Sequence, residues 1–135
     1  MAYDPRRLPA DVLAFLAERH LATFTTLRPD GTPHVVPVGF TWDDEATLAR
    51  VITSGTSRKV GHLADGARVA LCQVDRGRWL TVEGRATVTA DPERVAEAVR
   101  RYAQRYRQPG PNPERVAVEI AVDRVLGRAV PPVAR

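Results

Sequence analysis

Thr26-Leu27-Arg28-Pro29-Asp30-Gly31-Thr32-Pro33-His34-Val35-Val36-Pro37-Val38 carries a turn between two strand-like runs. Pro29 presets the first central dihedral of that turn, and Gly31 accepts a positive φ, so the segment predicts a hairpin. Before the turn, His20 to Arg28 alternates, with Leu21, Thr23, Thr25 and Leu27 on one side and Ala22, Phe24 and Thr26 on the other. After it, Pro33 to Asp43 reads as the second strand. Pro33 and Pro37 each remove a ladder donor, which requires an edge, a bulge or a ligand-facing stretch. The free backbone groups beside them can hydrogen-bond a flat heterocycle, although an ordinary irregular edge strand has the same pattern.

The flanking segments extend this β pattern. A first helix is predicted from Pro9 to Arg19, with Val12, Leu13, Phe15 and Leu16 as its apolar stripe. Asp43-Asp44-Glu45 turns the chain into a third strand, Thr47 to Thr53, and a short helix is expected over Ser57 to Asp65. Ala67 to Asp75 and Trp79 to Ala90 read as a second hairpin about Arg76-Gly77. Asp91-Pro92-Glu93 combines an Asx cap, a proline at the first helical position and an early carboxylate, which starts a helix. Val95, Val99, Tyr102 and Tyr106 lie on one face of it, and three prolines between Pro109 and Pro113 end it. Arg115 to Leu126 is the final strand. Hairpin connections with few helices predict a mostly β chain, a six-stranded antiparallel barrel in one domain over residues 1–135. Residues 1–7 and 128–135 read as flexible tails.

Composition narrows the function. No apolar run approaches the length of about 18 residues that a membrane span needs, and no secretory pattern opens the chain. The single cysteine, Cys72, excludes an internal disulfide, fits a reducing cytoplasm and is expected to be buried and inert. Nineteen arginines and one lysine give a net charge of +4. They are spread along the chain and interspersed with acids, without a reading helix or zinc motif, so a nucleic-acid partner is not expected. His20, His34 and His62 share no ligand spacing, which argues against a metal site. No nucleophile elbow and no glycine-rich dinucleotide fingerprint occurs. A chain this poor in acid–base equipment fits a function in which a bound cofactor does the chemistry.

Two segments can hold an anionic cofactor. Thr53-Ser54-Gly55-Thr56-Ser57-Arg58-Lys59 follows an apolar strand and opens a helix. Backbone N–H groups, hydroxyls and two cations converge there, as a phosphate requires, while a solvated turn has the same composition. Asp75-Arg76-Gly77-Arg78-Trp79 places an indole and two cations at a hairpin tip. Trp79 either packs or stacks on a ring, and Arg78 is suited to carboxylates.

The order of these motifs, with Val82-Glu83-Gly84-Arg85-Ala86 after them, resembles the pyridoxamine phosphate oxidase-like split-barrel family of flavin and deazaflavin binders from about Leu8 to Leu126. Ala49-Arg50-Val51-Ile52-Thr53, Gln73-Val74-Asp75 and Arg101 to Arg107 followed by Pro111-Asn112-Pro113 are similar to its actinobacterial branch of coenzyme F420-dependent biliverdin reductases. The resemblance implies an FMN-binding-like split barrel and a homodimer with two cofactor sites at the subunit interface. It implies that His34, Val35, Val36 and Pro37 hold the ring by backbone contacts, that Ile52 and Thr53 lie beside it, and that Ser57, Arg58 and Lys59 take the phosphate. Relatives often have Asn three residues after the lysine, where this chain has His62.

FMN ends in one phosphate, whereas F420 continues into a lactyl and oligoglutamate tail that needs a longer basic track. Arg58, Lys59, Arg76 and Arg78 can supply one if they converge. In the deazaflavin, carbon replaces the central ring nitrogen, which favours hydride transfer over reaction with oxygen. The expectation is an F420H2-dependent reductase of a conjugated acceptor, biliverdin to bilirubin, with its catalytic residues unassigned. An FMN-dependent oxidoreductase of the same fold and a non-catalytic F420 or flavin carrier are the alternatives.

Overall fold

The computed structural model describes residues 2–63 and 66–130. Its elements are β1 (Ala2–Tyr3), α1 (Ala10–Ala17), β2 (Ala22–Leu27), β3 (Pro33–Val38), β4 (Phe40–Asp43), β5 (Leu48–Ser54), α2 (Arg58–Gly61), β6 (Ala67–Asp75), β7 (Arg78–Thr89), α3 (Pro92–Arg105) and β8 (Arg115–Arg128). The strands form one antiparallel sheet in the order β3-β2-β6-β7-β8-β5-β4, with β1 added against β8.

The fold is thus mostly β with few helices, but the strand count is eight where the sequence predicts six. One extra strand comes from the N-terminus, because Ala2 and Tyr3 pair with Leu126 and Val125. Those two residues are tied down, which corrects the expectation of a free tail there. β8 runs on to Arg128, and residues 131–135 lie outside the described residues. The other extra strand arises because Gly39 divides the predicted run Pro33 to Asp43 into β3 and β4. α2 is a single turn rather than the helix expected over Ser57 to Asp65, and Ala64 and Asp65 lie outside the described residues.

The hairpin between β2 and β3 forms as its turn chemistry dictates. Gly31 has φ 86°, and the Asp30 carboxylate accepts from the Thr32 N–H at 3.0 Å and from its hydroxyl at 2.6 Å. β3, with its two prolines, stands at one end of the sheet and pairs only with β2. On β2 the inward side is Ala22, Phe24 and Thr26, which join Leu71, Leu80, Val82 and Val118 in the core. Cys72 points the other way and is half-buried, not enclosed as expected, because its neighbours Leu71 and Gln73 take the inward positions.

β3 and β4 stand at opposite ends of the sheet yet are joined by one residue, Gly39. The chain itself therefore bridges the two edges there, and this bends the sheet into a split-barrel form. Helix α3 locks the crossing. A Cβ on Gly39 would lie 3.0 Å from the Tyr106 ring and 3.1 Å from that of Tyr102, so a larger residue would push the helix away. The Tyr106 hydroxyl donates to the His20 carbonyl at 2.6 Å and accepts from the Phe40 N–H at 3.2 Å.

Arg105 completes the joint. Its guanidinium donates to the carbonyls of Glu18 (2.8 Å) and Phe40 (2.6 Å) and to the Gln73 side-chain oxygen (2.7 Å). Gln73, wholly buried, donates in turn to the Phe15 carbonyl at 2.9 Å. One cation thus satisfies acceptors from the end of α1, from β4 and from β6, and its planar fork is what makes that geometry possible. Burial holds the guanidinium below its usual pKa, yet arginine stays charged throughout the working range. Replacing Arg105 by Met should cost roughly 2–4 kcal/mol, the scale of leaving several buried acceptors unsatisfied. Urea unfolding of the variant measures this, and a loss within the noise would mean that water replaces the fork.

Candidate functional site

A cleft of about 270 Å³ opens where the Gly39 crossing, the end of β5 and the segment after α3 meet. β3 gives it Pro37 and Val38, and β5 gives Ile52, Thr53 and Ser54. Tyr102 of α3 forms one wall, and Asn112 and Arg115 lie beyond it. Lys59 enters from α2. None of these residues is acidic, and the Lys59 ammonium has no carboxylate partner among the described residues. Its half-buried position holds its pKa below the usual lysine value through desolvation alone. A partly dehydrated cation without a counter-charge is a seat for an anion.

The turn before Lys59 is organised locally. The Ser57 N–H donates to the Ser54 carbonyl at 3.1 Å, the Thr53 hydroxyl to the Ser57 oxygen at 3.4 Å, and Gly55 N–H to the Glu114 carbonyl at 2.8 Å. These bonds fasten the turn to the strand and to the loop before β8. A one-turn helix has little dipole, so the Lys59 charge and the turn hydroxyls dominate there.

Beside this seat, His34 and His62 meet edge to face with their ring centroids 4.8 Å apart. Thr26 Oγ1 and His62 Nδ1 are 3.2 Å apart, while the buried Nδ1 of His34 has no partner among the described residues. Desolvation first, then His62, Arg28, Lys59 and Arg58, hold the His34 pKa below its usual value.

Of the residues expected at a cofactor site, Pro37, Ile52, Thr53 and Lys59 line the cleft. His34 and Val36 are half-buried, and Val35 is exposed on the opposite side of β3. Ser57 supports the turn, and Arg58 is exposed. Arg78 and Trp79 are elsewhere. The Arg78 guanidinium binds both Glu18 carboxylate oxygens at 2.8 Å and Asp75 at 2.5 Å, and lies 4.4 Å over the Phe15 ring. Its charge is therefore committed within the chain. Trp79 is half-buried at the start of β7, opposite Val74 and Arg128.

Local spacing also missed the company of His20. Folding places its ring, Glu18 and Asp75 within 4.8 Å of one another. Arg78 and His20 pull the Glu18 pKa down to about 2, and the guanidinium already fills the space between the carboxylates. Val38, Gly39, Ser54, Tyr102, Pro109, Asn112 and Arg115 are the cleft residues that sequence reasoning did not assign; the proline-rich segment between α3 and β8 was the local signal of an ordered loop there.

A family model described as Pyridoxamine 5'-phosphate oxidase matches residues 8–129. The chain belongs to the pyridoxamine 5'-phosphate oxidase family. A relative within reach of this chain is the F420H(2)-dependent biliverdin reductase of Mycobacterium tuberculosis (strain CDC 1551 / Oshkosh), 55% identical over 129 residues, which are 96% of this chain and 94% of the relative. A solved structure described as F420 Reductase superposes with a TM-score of 0.69 at 25% identity, over 91% of this chain and 100% of its own. A conserved hypothetical protein of Mycobacterium tuberculosis shares the fold with a TM-score of 0.76 at 21% identity, over 96% of this chain and 92% of its own.

The lowered pKa of His34 carries a sign. Its unfolded value is the ordinary 6.5, so below that pH the unfolded chain binds the extra proton first, and stability falls until the folded pKa is passed. Replacing His34 by Gln should remove that part of the acid loss. Urea midpoints at about pH 7.5 and about pH 5.5 measure it, and an equal drop in wild type and variant would assign the loss to other groups.

Proposed function

We propose that this chain is an F420H2-dependent reductase that transfers a hydride to a conjugated acceptor, biliverdin, giving bilirubin. The reading is carried by the half-buried charge of Lys59 in the cleft, unpaired among the described residues, together with the 55% identity to the relative of that activity. The residues fit a cofactor with a planar ring and a long acidic tail. Lys59 and the Ser57 turn would take its phosphate, and Arg115 lies along the same cleft. Pro37, Ile52 and Thr53 offer a flat wall of backbone and short side chains. When bound, the reduced deazaflavin supplies a hydride, and one proton from the protein or water completes the reduction of the verdin's central methine bridge.

The protein's own contribution is then alignment and charge. Holding donor and acceptor at fixed separation removes the entropy of their encounter. The cation-lined cleft favours anionic ligands without the need for a side-chain nucleophile or metal. We place the activity in the cytoplasm, where a lone half-buried thiol such as Cys72 stays reduced. No helix among the described residues is long and apolar enough to cross a membrane.

We also propose that the working form is a homodimer. Pro37, Thr23, Cys72 and Thr81 stand in one row across four strands, and Val35, Thr25, Ala70 and Glu83 in the next, on the face away from the core. Val35 and Val74 are 54% and 58% exposed on that face. A second copy would cover this part of the sheet surface. Sedimentation should give a dimer for the wild type and a shift to monomer for Val35→Glu; a wild-type monomer with full cofactor affinity would refute it.

Fluorescence titration with F420 and FMN separately tests the cofactor. F420 should bind more tightly, and Lys59→Ala should weaken it by about 1.5–3 kcal/mol, the scale of a charge-assisted hydrogen bond, without altering thermal stability. With F420H2 present, the long-wavelength biliverdin band should fall as a yellow product grows. Copurified stoichiometric FMN with no F420 binding would overturn the deazaflavin assignment. F420H2 binding without turnover of biliverdin or other conjugated acceptors would favour a carrier.

A further inference from the structure

A second cleft, of about 410 Å³, lies on α3's other flank and is lined by Arg19, His20, Leu21, Tyr102, Tyr106 and Arg107. Tyr102 lines both this cleft and the one entered by Lys59, so the two are neighbours across one ring.

The chemistry of this second cleft is specific. Arg50, Arg68, Arg78, Arg94, Arg100 and Arg101 are all engaged by carboxylates. Arg19 and Arg107, by contrast, are exposed and form no ion pair or side-chain hydrogen bond among the described residues. Among the described residues no carboxylate lines the cleft; Glu18 and Asp75, behind the His20 ring, are held by Arg78. The same cleft holds Leu21, 64% exposed, an apolar side chain left in water just before β2. The floor is rigid: the Tyr102 and Tyr106 rings pack 4.9 Å apart, and the Tyr106 hydroxyl is held by the His20 and Phe40 backbone. Two free guanidiniums, an apolar residue and an aromatic pair in one cleft match a broad, conjugated molecule that bears two carboxylates.

We propose that this cleft seats the acceptor: Arg19 and Arg107 bind its two propionate carboxylates, and Leu21 and Tyr102 pack against its conjugated framework. The inference rests on the reading of the protein as a biliverdin reductase, since it names where that substrate sits. Tyr102 borders both clefts, so an acceptor anchored by its propionates at Arg19 and Arg107 extends its conjugated framework past the edge of that ring into the Lys59 cleft, where its central bridge meets the hydride donor in direct contact.

The test is equilibrium binding of biliverdin to the protein without cofactor, read by absorbance and by tryptophan quenching. The variants are Arg19→Gln, Arg107→Gln and the pair together, with thermal melts to show that these surface changes leave the fold intact. Biliverdin dimethyl ester, whose carboxylates are blocked, is the second probe. Each single variant should weaken biliverdin binding by about ten-fold or more, the loss of one charge-assisted contact, while the ester binds wild type and variants alike. F420 affinity should be unchanged, and in the turnover assay KM should rise with little change in kcat. Equal biliverdin affinity in wild type and double variant would overturn the proposal even if turnover is observed. Weakened, carboxylate-dependent binding would support it even if F420H2 fails to reduce the bound verdin, an outcome that would count only against the reductase reading.

Discussion

The structure depends on the crossing at Gly39, where the chain passes from one edge of its sheet to the other within a single residue. A backbone bent so sharply breaks its ladder, and the freed groups of Phe40 must find other partners. They find them in the last turn of α3: the Tyr106 hydroxyl accepts from the Phe40 N–H, and Arg105 donates to the Phe40 carbonyl. Neither partner could reach if Gly39 carried a side chain, because the tyrosine rings occupy that space. The bend of the sheet and the docking of the helix therefore rest on the same contacts.

The same joint explains why a buried cation is tolerated so near the core. Arg105 has no carboxylate against it; its charge is spread over the Glu18 and Phe40 carbonyls and the Gln73 amide, and its plane stacks by the rings of Phe40 and Tyr106. A carboxylate would have brought its own desolvation penalty. Carbonyl dipoles that already needed donors bring none. Glu18, meanwhile, keeps its carboxylate for Arg78 and His20 while its backbone serves Arg105, so the end of α1 is held from two sides.

Features that are local in sequence were the legible ones. The β2–β3 turn followed from Pro29, Asp30 and Gly31; the edge position of β3 followed from its prolines; and β6 was bounded correctly at Ala67 and Asp75 by its apolar alternation. The break at Gly39 was not legible, because Pro37-Val38-Gly39-Phe40 is an unbroken apolar run whose bend is set by a tyrosine 66 residues later. Two residues, Ala2 and Tyr3, are too few to show a strand period. Charge pairing was equally hidden. Arg78 reads as a free hairpin cation until folding brings Glu18, 60 residues earlier, beside it. The candidate cleft was half legible: Lys59 and the end of β5 lie within one strand-turn segment, whereas Tyr102, Asn112 and Arg115 come from much later in the chain, Arg115 through its pairing with Ser54.

These observations bear on how so few acid–base groups could support a hydride transfer. The rate of such a step depends steeply on the separation and angle of donor and acceptor, and less on any side chain that touches them. Tyr102 sits one helical turn before Tyr106, stacked on it, and forms a wall of both clefts. Its position is thus inherited from the bonds that hold the bend at Gly39 and Phe40. The precision such chemistry needs would then come from the core interaction that defines the fold.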